Sequence, residues 1–340
     1  MRRTVAGFAT LAALTACGST SAKPAGSSSP YVSVRTSVGA PVGSTLAKPV
    51  VTRLAGGLDV GVGRAAVFQG SDSTHVVLAG GLVLGDTTTD AVQQVDLATG
   101  RTTRLPTLAV AVHDTAGASL PGAPPLVIGG GNSSEQSVVQ AYSGGTWRVV
   151  GHLPTTRSDL SAVSFAAGAG RVWVLGGYDG STPAVATVLA GDFSGSSWKT
   201  VGSLAVALRY AAAVQGSDGK VYLFGGEVSG AEKDTVQTWD PQTGKGSVVA
   251  HLPIALGHMS AVAVGDKFLV LGGRTDASSG AMTDRMWWFD PATDTFTDAG
   301  RLPYPVADAA LVMGDANAAY LIGGESPHPI TTILKIQVTP

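Results

Sequence analysis

The chain has 340 residues, of which 46 are glycine, 44% are hydrophobic and only 14% are charged. This composition excludes a disordered chain, a long helical array and, because no Gly-X-Y period is present, a collagen. The formal net charge of −2, without any cluster of Lys and Arg, argues against a nucleic-acid partner, since phosphate binding depends mainly on clustered basic side chains.

The first predicted element is an export signal over residues 1–16. Arg2 and Arg3 precede an apolar stretch, which ends in small residues before Cys17, the only cysteine of the chain. This order resembles a bacterial lipoprotein signal. The resemblance implies cleavage before Cys17 and its acylation, so that lipid holds the protein on the extracytoplasmic face of the cell membrane. The alternative is an ordinary secretory signal that contains a cysteine, and both interpretations export the protein.

A lipid-attachment cysteine and a flexible tether are predicted over residues 17–44, because residues 18–30 consist mainly of Ser, Gly, Ala and Pro with one charge. No later stretch approaches the roughly 18 apolar residues that a membrane-spanning helix needs. The folded domain is therefore predicted over residues 45–340.

A repeat of nearly 50 residues explains the excess of glycine. Gly-Gly pairs recur at intervals of 47 to 51 residues, and each follows a short, β-rich apolar run, which is typical of a strand buried on both faces. Glycine allows positive φ and close approach of backbones, so a structural role for the pairs is favoured over a ligand-binding role. The pairs begin at positions 80, 129, 176, 225, 272 and 323.

Each repeat contains signals for four strands. A strand of small residues and a tight turn precede the apolar run, a third strand ends in a pair such as Trp239-Asp240, and a fourth often carries an aromatic residue such as Trp147. These features resemble kelch repeats, and six of them imply an all-β, six-bladed kelch-type β-propeller with four-stranded blades.

Closure of the propeller is also predicted. The last repeat ends at its third strand, whereas residues 46–54 precede the first repeat where a fourth strand would lie. We expect this N-terminal strand to join the C-terminal blade, which removes an exposed sheet edge. A frayed, incomplete last blade is the alternative.

The candidate site follows from the resemblance. In kelch propellers the loops after the Gly-Gly strand and the loops between blades share one face around the channel mouth, which implies a binding surface there. The polar residues at these positions suit a polyhydroxylated or carboxylated ligand, although they could also merely solvate a water-filled channel. The ligand-binding candidates are Tyr178, Glu227, Arg274, Glu325, Tyr210, His258 and Asp308, and further polar residues near the start of a first strand are His113, Asp114, Arg157, Asp159 and Arg209.

The favoured function is a membrane-anchored, monomeric binding module for a glycan or a protein, without a cofactor. No metal site is predicted, because the histidines are scattered over different blades. A single cysteine, placed in the signal, also excludes a copper radical oxidase resembling galactose oxidase, whose site needs a Tyr–Cys crosslink.

No catalytic residue is assigned from the sequence. The alternative function is a carbohydrate-active enzyme resembling the kelch sialic acid mutarotases and epimerases, exported propellers that work with channel-mouth Glu and Arg. Glu227 and Arg274 would be the residues of that kind here. A purely structural scaffold is the third possibility.

Overall fold

The parts of the chain described by the computed structural model contain β-strands and no helix. Among these residues, accordingly, no helix is long and apolar enough to cross a membrane. The predicted signal peptide over residues 1–16, the lipidation site Cys17 and the tether over residues 17–44 lie outside the described residues. Those that the structure describes are 47–70, 72–165, 170–314 and 317–338.

The strands are numbered in chain order. The first group is β1 (Val50–Gly57), β2 (Ala66–Gln69), β3 (His75–Ala79), β4 (Leu82–Val83), β5 (Thr87–Thr88), β6 (Val92–Asp96), β7 (Thr102–Leu105), β8 (Ala116–Ala118), β9 (Leu126–Ile128), β10 (Val138–Ser143) and β11 (Thr146–His152). The second is β12 (Ser161–Phe165), β13 (Arg171–Leu175), β14 (Thr187–Gly191), β15 (Trp198–Ser203), β16 (Ala212–Gln215), β17 (Val221–Phe224), β18 (Glu227–Val228), β19 (Ala231–Glu232), β20 (Thr235–Asp240) and β21 (Lys245–His251). The third is β22 (Ser260–Val264), β23 (Lys267–Leu271), β24 (Arg274–Asp276), β25 (Ala281–Met282), β26 (Arg285–Asp290), β27 (Thr295–Arg301), β28 (Ala310–Met313), β29 (Ala318–Ile322) and β30 (Thr332–Gln337).

Six antiparallel four-stranded blades account for most of these strands. Blade one contains β2, β3, β6 and β7, blade two β8 to β11, and blade three β12 to β15. Blade four contains β16, β17, β20 and β21, blade five β22, β23, β26 and β27, and blade six β28, β29, β30 and β1. A single parallel bridge between Ser203 and Lys245 links the outer strands of blades three and four.

The circle of blades is closed by the N-terminal strand. β1 pairs with β30 in antiparallel register, with Val51 opposite Ile336 and Thr52 opposite Lys335. The innermost strands also contact one another in a closed sequence, β2, β8, β12, β16, β22, β28 and again β2. The predicted six-bladed propeller and its closure by the N-terminal strand are confirmed.

The hydrophobic core is divided into six clusters, one between each pair of neighbouring blades. β23 shows how one strand serves two clusters. Leu269 and Leu271 pack towards blade six, whereas Phe268 and Val270 pack towards blade four. This alternation confirms that the apolar runs are strands buried on both faces, since successive side chains point to opposite faces of a sheet.

The Gly-Gly pairs join each blade to the next. In blade five, a Cβ added to Gly272 would lie only 2.4 Å from the carbonyl oxygen of Val306, and Gly273 donates its N–H to that oxygen at 2.8 Å. Both glycines have positive φ, which a β-carbon disfavours. The same contact recurs in all six blades, so the structural role predicted for the pairs is confirmed.

Candidate functional site

Six residues just before the innermost strands form a closed circle, here called the channel ring. Each has a positive φ between 49° and 58°, a conformation that Asp and His adopt more readily than most non-glycine residues. Each donates its backbone N–H to the carbonyl oxygen of the ring residue in the preceding blade, at 2.9–3.1 Å. The six bonds therefore fix the spacing of the side chains at the channel mouth. The ring residues are Arg64, Asp114, Asp159, Tyr210, His258 and Asp308.

One half of the channel ring belongs to a buried ion-pair network centred on Asp308. Its carboxylate lies 2.7 Å from His258 Nδ1, 3.0 Å from Arg274 Nη2 and 3.7 Å from Arg64 Nε. Glu325 contacts the same two arginines, at 2.8 Å from Arg64 Nε and 2.5 Å from Arg274 Nη2. Because water has little access, each of these charges depends on its partners for compensation.

Arg209 organises the other half of the network. Its guanidinium forms an ion pair with Glu227 and a longer one, at 3.3 Å, with Asp159. The same group lies 5.4 Å from the ring centroid of Tyr178 and 5.3 Å from that of Tyr210, within the range of cation–π attraction. Two carboxylates and two phenol rings thus hold this arginine in one place.

Tyr210 connects the two halves. Its ring stacks on that of His258 with a centroid distance of 3.7 Å, and its hydroxyl lies 3.5 Å from Asp114 Oδ2. Asp114 in turn pairs with Arg64 at 3.3 Å. The charged and aromatic side chains of the mouth therefore form one continuous network.

The network favours the charged forms of His258 and its acidic partners. Burial opposes protonation of His258, but Asp308, helped by a hydrogen bond with Glu227, outweighs it and raises the pKa of His258 to about 9. Burial likewise opposes ionisation of Asp308, yet His258 and the two arginines lower its pKa to about 2. Hydrogen bonds with His258 and Arg209, despite burial, lower the pKa of Glu227 to about 2. At neutral pH these groups carry full, mutually compensated charges.

Two neighbouring ring aspartates behave in the opposite way. Burial raises the pKa of Asp114 to about 6, although Arg64 opposes the shift. Burial, and then repulsion from Asp114, raise the pKa of Asp159 to about 7. Asp159 is consequently part protonated near neutrality and can donate as well as accept a hydrogen bond there.

Two cavities meet at the channel ring. The mouth cavity has a volume of about 420 Å³ and opens between the loops of blades two and three. The channel cavity, of about 220 Å³, follows the innermost strands and has apolar side chains such as Leu160 and Met259 in its wall. Both include Asp114, Asp159 and Tyr210 in their walls, so the ring is their common boundary.

The seven predicted ligand-binding residues all belong to this region, but in different places. Tyr178 and Tyr210 line the mouth cavity, and Tyr210, His258 and Asp308 line the channel cavity. The other three, Glu227, Arg274 and Glu325, line neither and are engaged in ion pairs. Their role in binding stays a prediction.

Arg157, considered as a further polar residue near the mouth, points elsewhere. Its guanidinium donates to the backbone oxygens of Gly176 and Thr187, each at 3.2 Å, and to the Thr187 hydroxyl at 2.9 Å. Arg157 therefore braces blade three, whereas Ser158 and Asp159 after it line the mouth cavity.

Arg64 was not among the candidate residues predicted from the sequence, although it contacts Asp114, Asp308 and Glu325. The repeat period would have located it, because Arg64 precedes Asp114 by 50 residues and Asp114 precedes Asp159 by 45. Within the described ranges no group of three or more His, Cys, Asp or Glu side chains is suited to a metal ion.

Comparison with known proteins supports the kelch fold. No family model matches the chain. The chain is 27% identical over 164 residues to the mouse protein Kelch-like protein 35, a match that covers 48% of this chain and 27% of that relative. With its six four-stranded blades, the described domain is a kelch-type β-propeller.

Proposed function

We propose that the chain is a binding module, held by lipid on the extracytoplasmic face of the cell membrane, that captures a glycan or a protein ligand at the channel mouth. The observation that carries the proposal is the mouth cavity of about 420 Å³, whose volume lies in the range typical of ligand sites, roughly 300–1,000 Å³. Its walls come from loops on a rigid scaffold, where binding residues are commonly found.

The open cavity at the channel mouth supports a binding role rather than a purely structural one. A scaffold needs no open cavity, yet here the ion-pair network at the channel mouth holds arginines, carboxylates and phenol rings in fixed positions beside one. A preorganised surface of this kind loses little conformational entropy when a ligand binds.

Tyr178 is the side chain whose removal tests the site most directly, because it lines the mouth cavity and is not fully buried. We expect Tyr178→Ala to weaken binding of any ligand found on glycan or peptide arrays at least about tenfold, as for a central aromatic contact. Tyr142→Ala is the matched control, since Tyr142 is also half-buried but pairs with Trp147 at the opposite end of blade two. Undiminished binding by Tyr178→Ala would place the ligand elsewhere.

The anchor has its own test. Cys17 stands where a lipoprotein signal carries its acyl chains, and two such chains suffice for stable attachment. We expect Cys17→Ser to move the protein from the membrane fraction to the soluble fraction in cell fractionation, without loss of the propeller. Retention of the variant in the membrane would contradict lipid anchoring.

A sugar-converting enzyme is the second candidate, and one feature favours it. Asp159 lies in the wall of both cavities, and a carboxyl with a pKa of about 7 suits general acid–base catalysis near neutrality. Exchange NMR on sialic acid anomers separates the candidates, since a binding module leaves the rate of anomer exchange unchanged.

A further inference from the structure

The mouth cavity is lined mainly by blades two and three, and blade two lacks a side chain at one repeat position there. In the other five blades the residue that follows the Gly-Gly pair carries a large side chain. In blade two this residue is Gly131, which is in the wall of the cavity. The five equivalent residues are Leu82, Tyr178, Glu227, Arg274 and Glu325.

The loops that follow the Gly-Gly pairs reinforce this asymmetry. In blades one, four and five these loops contain short hairpins, formed by β4 with β5, β18 with β19, and β24 with β25. Blades two, three and six have irregular turns instead, and the cavity opens over the first two of these blades. In blade six the side chain of Glu325 stands at the place of Gly131 and pairs with Arg64 and Arg274, so the room for a ligand lies over blades two and three.

The positive charges that line the cavity are already compensated. Arg64 pairs with Glu325 and Asp114, and Arg209 pairs with Glu227. An anionic ligand would therefore compete with carboxylates that already hold both arginines. Glu135, which also lines the cavity, has no ion pair within the described ranges and would repel an anion further.

The remaining groups suit hydroxyls. His113 Nδ1 lies 2.7 Å from Thr88 Oγ1, while burial and Arg64 lower the pKa of His113. These effects favour the neutral imidazole, whose ring lies against Gly131, with Nε2 3.2 Å from the position of a Cβ there and 3.7 Å from Asp114 Oδ2. The cavity wall offers a mixed set of hydrogen-bond donors and acceptors, namely the neutral imidazole, serine hydroxyls, the Tyr178 phenol and the Glu135 carboxylate. A ligand hydroxyl can match this set because a hydroxyl both donates and accepts hydrogen bonds.

We propose, on the basis of the binding function above, that the mouth cavity beside Gly131 and His113 is the ligand site and that it takes a neutral, polyhydroxylated ring such as the terminal hexose of a glycan. Tyr178 supplies aromatic surface for the apolar face of the sugar, and the neighbouring polar groups exchange hydrogen bonds with its hydroxyls.

The test compares matched sugars on the purified full chain in detergent. Saturation-transfer NMR is run with the methyl glycosides of glucose and galactose and with the corresponding methyl uronides, which replace only the C6 hydroxymethyl group by a carboxylate. We expect saturation transfer to at least one neutral glycoside, and at least about threefold less to its uronide. Equal or stronger transfer to the uronides would overturn the neutral ligand class.

Gly131→Leu tests the location of the pocket. The backbone at Gly131 does not have a positive φ, so a leucine fits the backbone there, and its side chain would displace the His113 ring that lies against this glycine. We expect this variant to lose at least about tenfold in affinity for the neutral glycoside. In Gly131→Ala the methyl group requires only a small shift of His113, and the affinity for the neutral glycoside should fall about threefold. This variant provides the test if the leucine variant does not fold.

Ala231→Leu is the matched control, because it adds the same side chain at an exposed position of the β18–β19 hairpin on the same face. It should bind as the natural chain does. If the Gly131 variants also bind normally, the pocket assignment fails while the binding function stands. If the natural chain binds array ligands but no neutral glycoside, the ligand class fails alone, and if it binds neither, both proposals fail.

Discussion

Asp308→Asn is expected to reduce the free energy of unfolding by about 3–5 kcal/mol at neutral pH. The substitution keeps the shape of the side chain but removes the charge that compensates His258, Arg274 and Arg64. Removing one partner of a buried ion pair leaves the other charges desolvated and unpaired, which accounts for a loss of this size. Urea denaturation followed by tryptophan fluorescence measures it.

The matched control is Asp298→Asn, which removes a carboxylate from the exposed pair with Lys48. Solvent screens such pairs, so the unfolding midpoint should hardly move. Equal effects of the two substitutions would show that burial of the network does not determine its contribution to stability.

The pH dependence of stability provides a second readout of Asp308→Asn. The folded-state pKa of His258 is raised from 6.5 to about 9, so its contribution is fully present below pH 6.5 and is lost as the pH rises through 9. Between pH 7 and 9 the natural chain should lose roughly 2–3 kcal/mol from this group. In Asp308→Asn this loss should shrink, because the main partner of protonated His258 is gone. An unchanged pH profile would contradict the assigned coupling.

Deletion of residues 47–57 is expected to abolish cooperative folding. β1 is the fourth strand of blade six and pairs with β30 along most of its length, so its loss opens the circle and exposes the edge of β30. An unpaired edge of this kind invites association with other chains, and the interface between blades six and one loses its outer support. The expected result is aggregation or loss of the thermal transition, measured by light scattering and circular dichroism.

A deletion of residues 18–28, of equal length but in the predicted tether, is the control and should leave the thermal transition in place. A synthetic peptide of residues 47–57 should restore part of the transition when added to the shortened chain, because a strand supplied in trans can pair with a free sheet edge. A shortened chain that melts as cooperatively as the natural one would show that β1 is not needed for closure.

The repeat architecture was predictable because its signals are local. Gly-Gly pairs, apolar runs and turn residues act within one blade, and each blade repeats them, so period and strand count can be read along the chain. Closure was predictable for a related reason. The last repeat ends in an unpaired third strand and the chain begins with a spare strand, and pairing the two removes an exposed sheet edge.

Some features of the fold were not predictable. Gln93, Gln140 and Gln237 are buried in third strands, where a polar residue looks like an exception to the apolar pattern. Each bonds both the N–H and the carbonyl oxygen of a residue in a loop between blades, for example Val60 for Gln93, at 3.1 Å in both directions. These contacts join residues about 30 positions apart, so no local sequence pattern could have predicted them.

By itself the sequence determined the blade count, the closure of the circle and which loop positions surround the channel, because each depends on patterns within one repeat. Only the tertiary structure decided which of those side chains are free for a ligand. Six ring residues 45 to 51 positions apart meet through the closed backbone circle, and their charges then pair across blades, as Arg64 does with Glu325. Electrostatic compensation depends on distances of a few ångströms between residues remote in the chain, so the same Glu and Arg that look like ligand contacts in the sequence are partners of one another in the fold. The mouth cavity follows the same logic, since its walls come from blades one to four and only the closed fold brings these residues together.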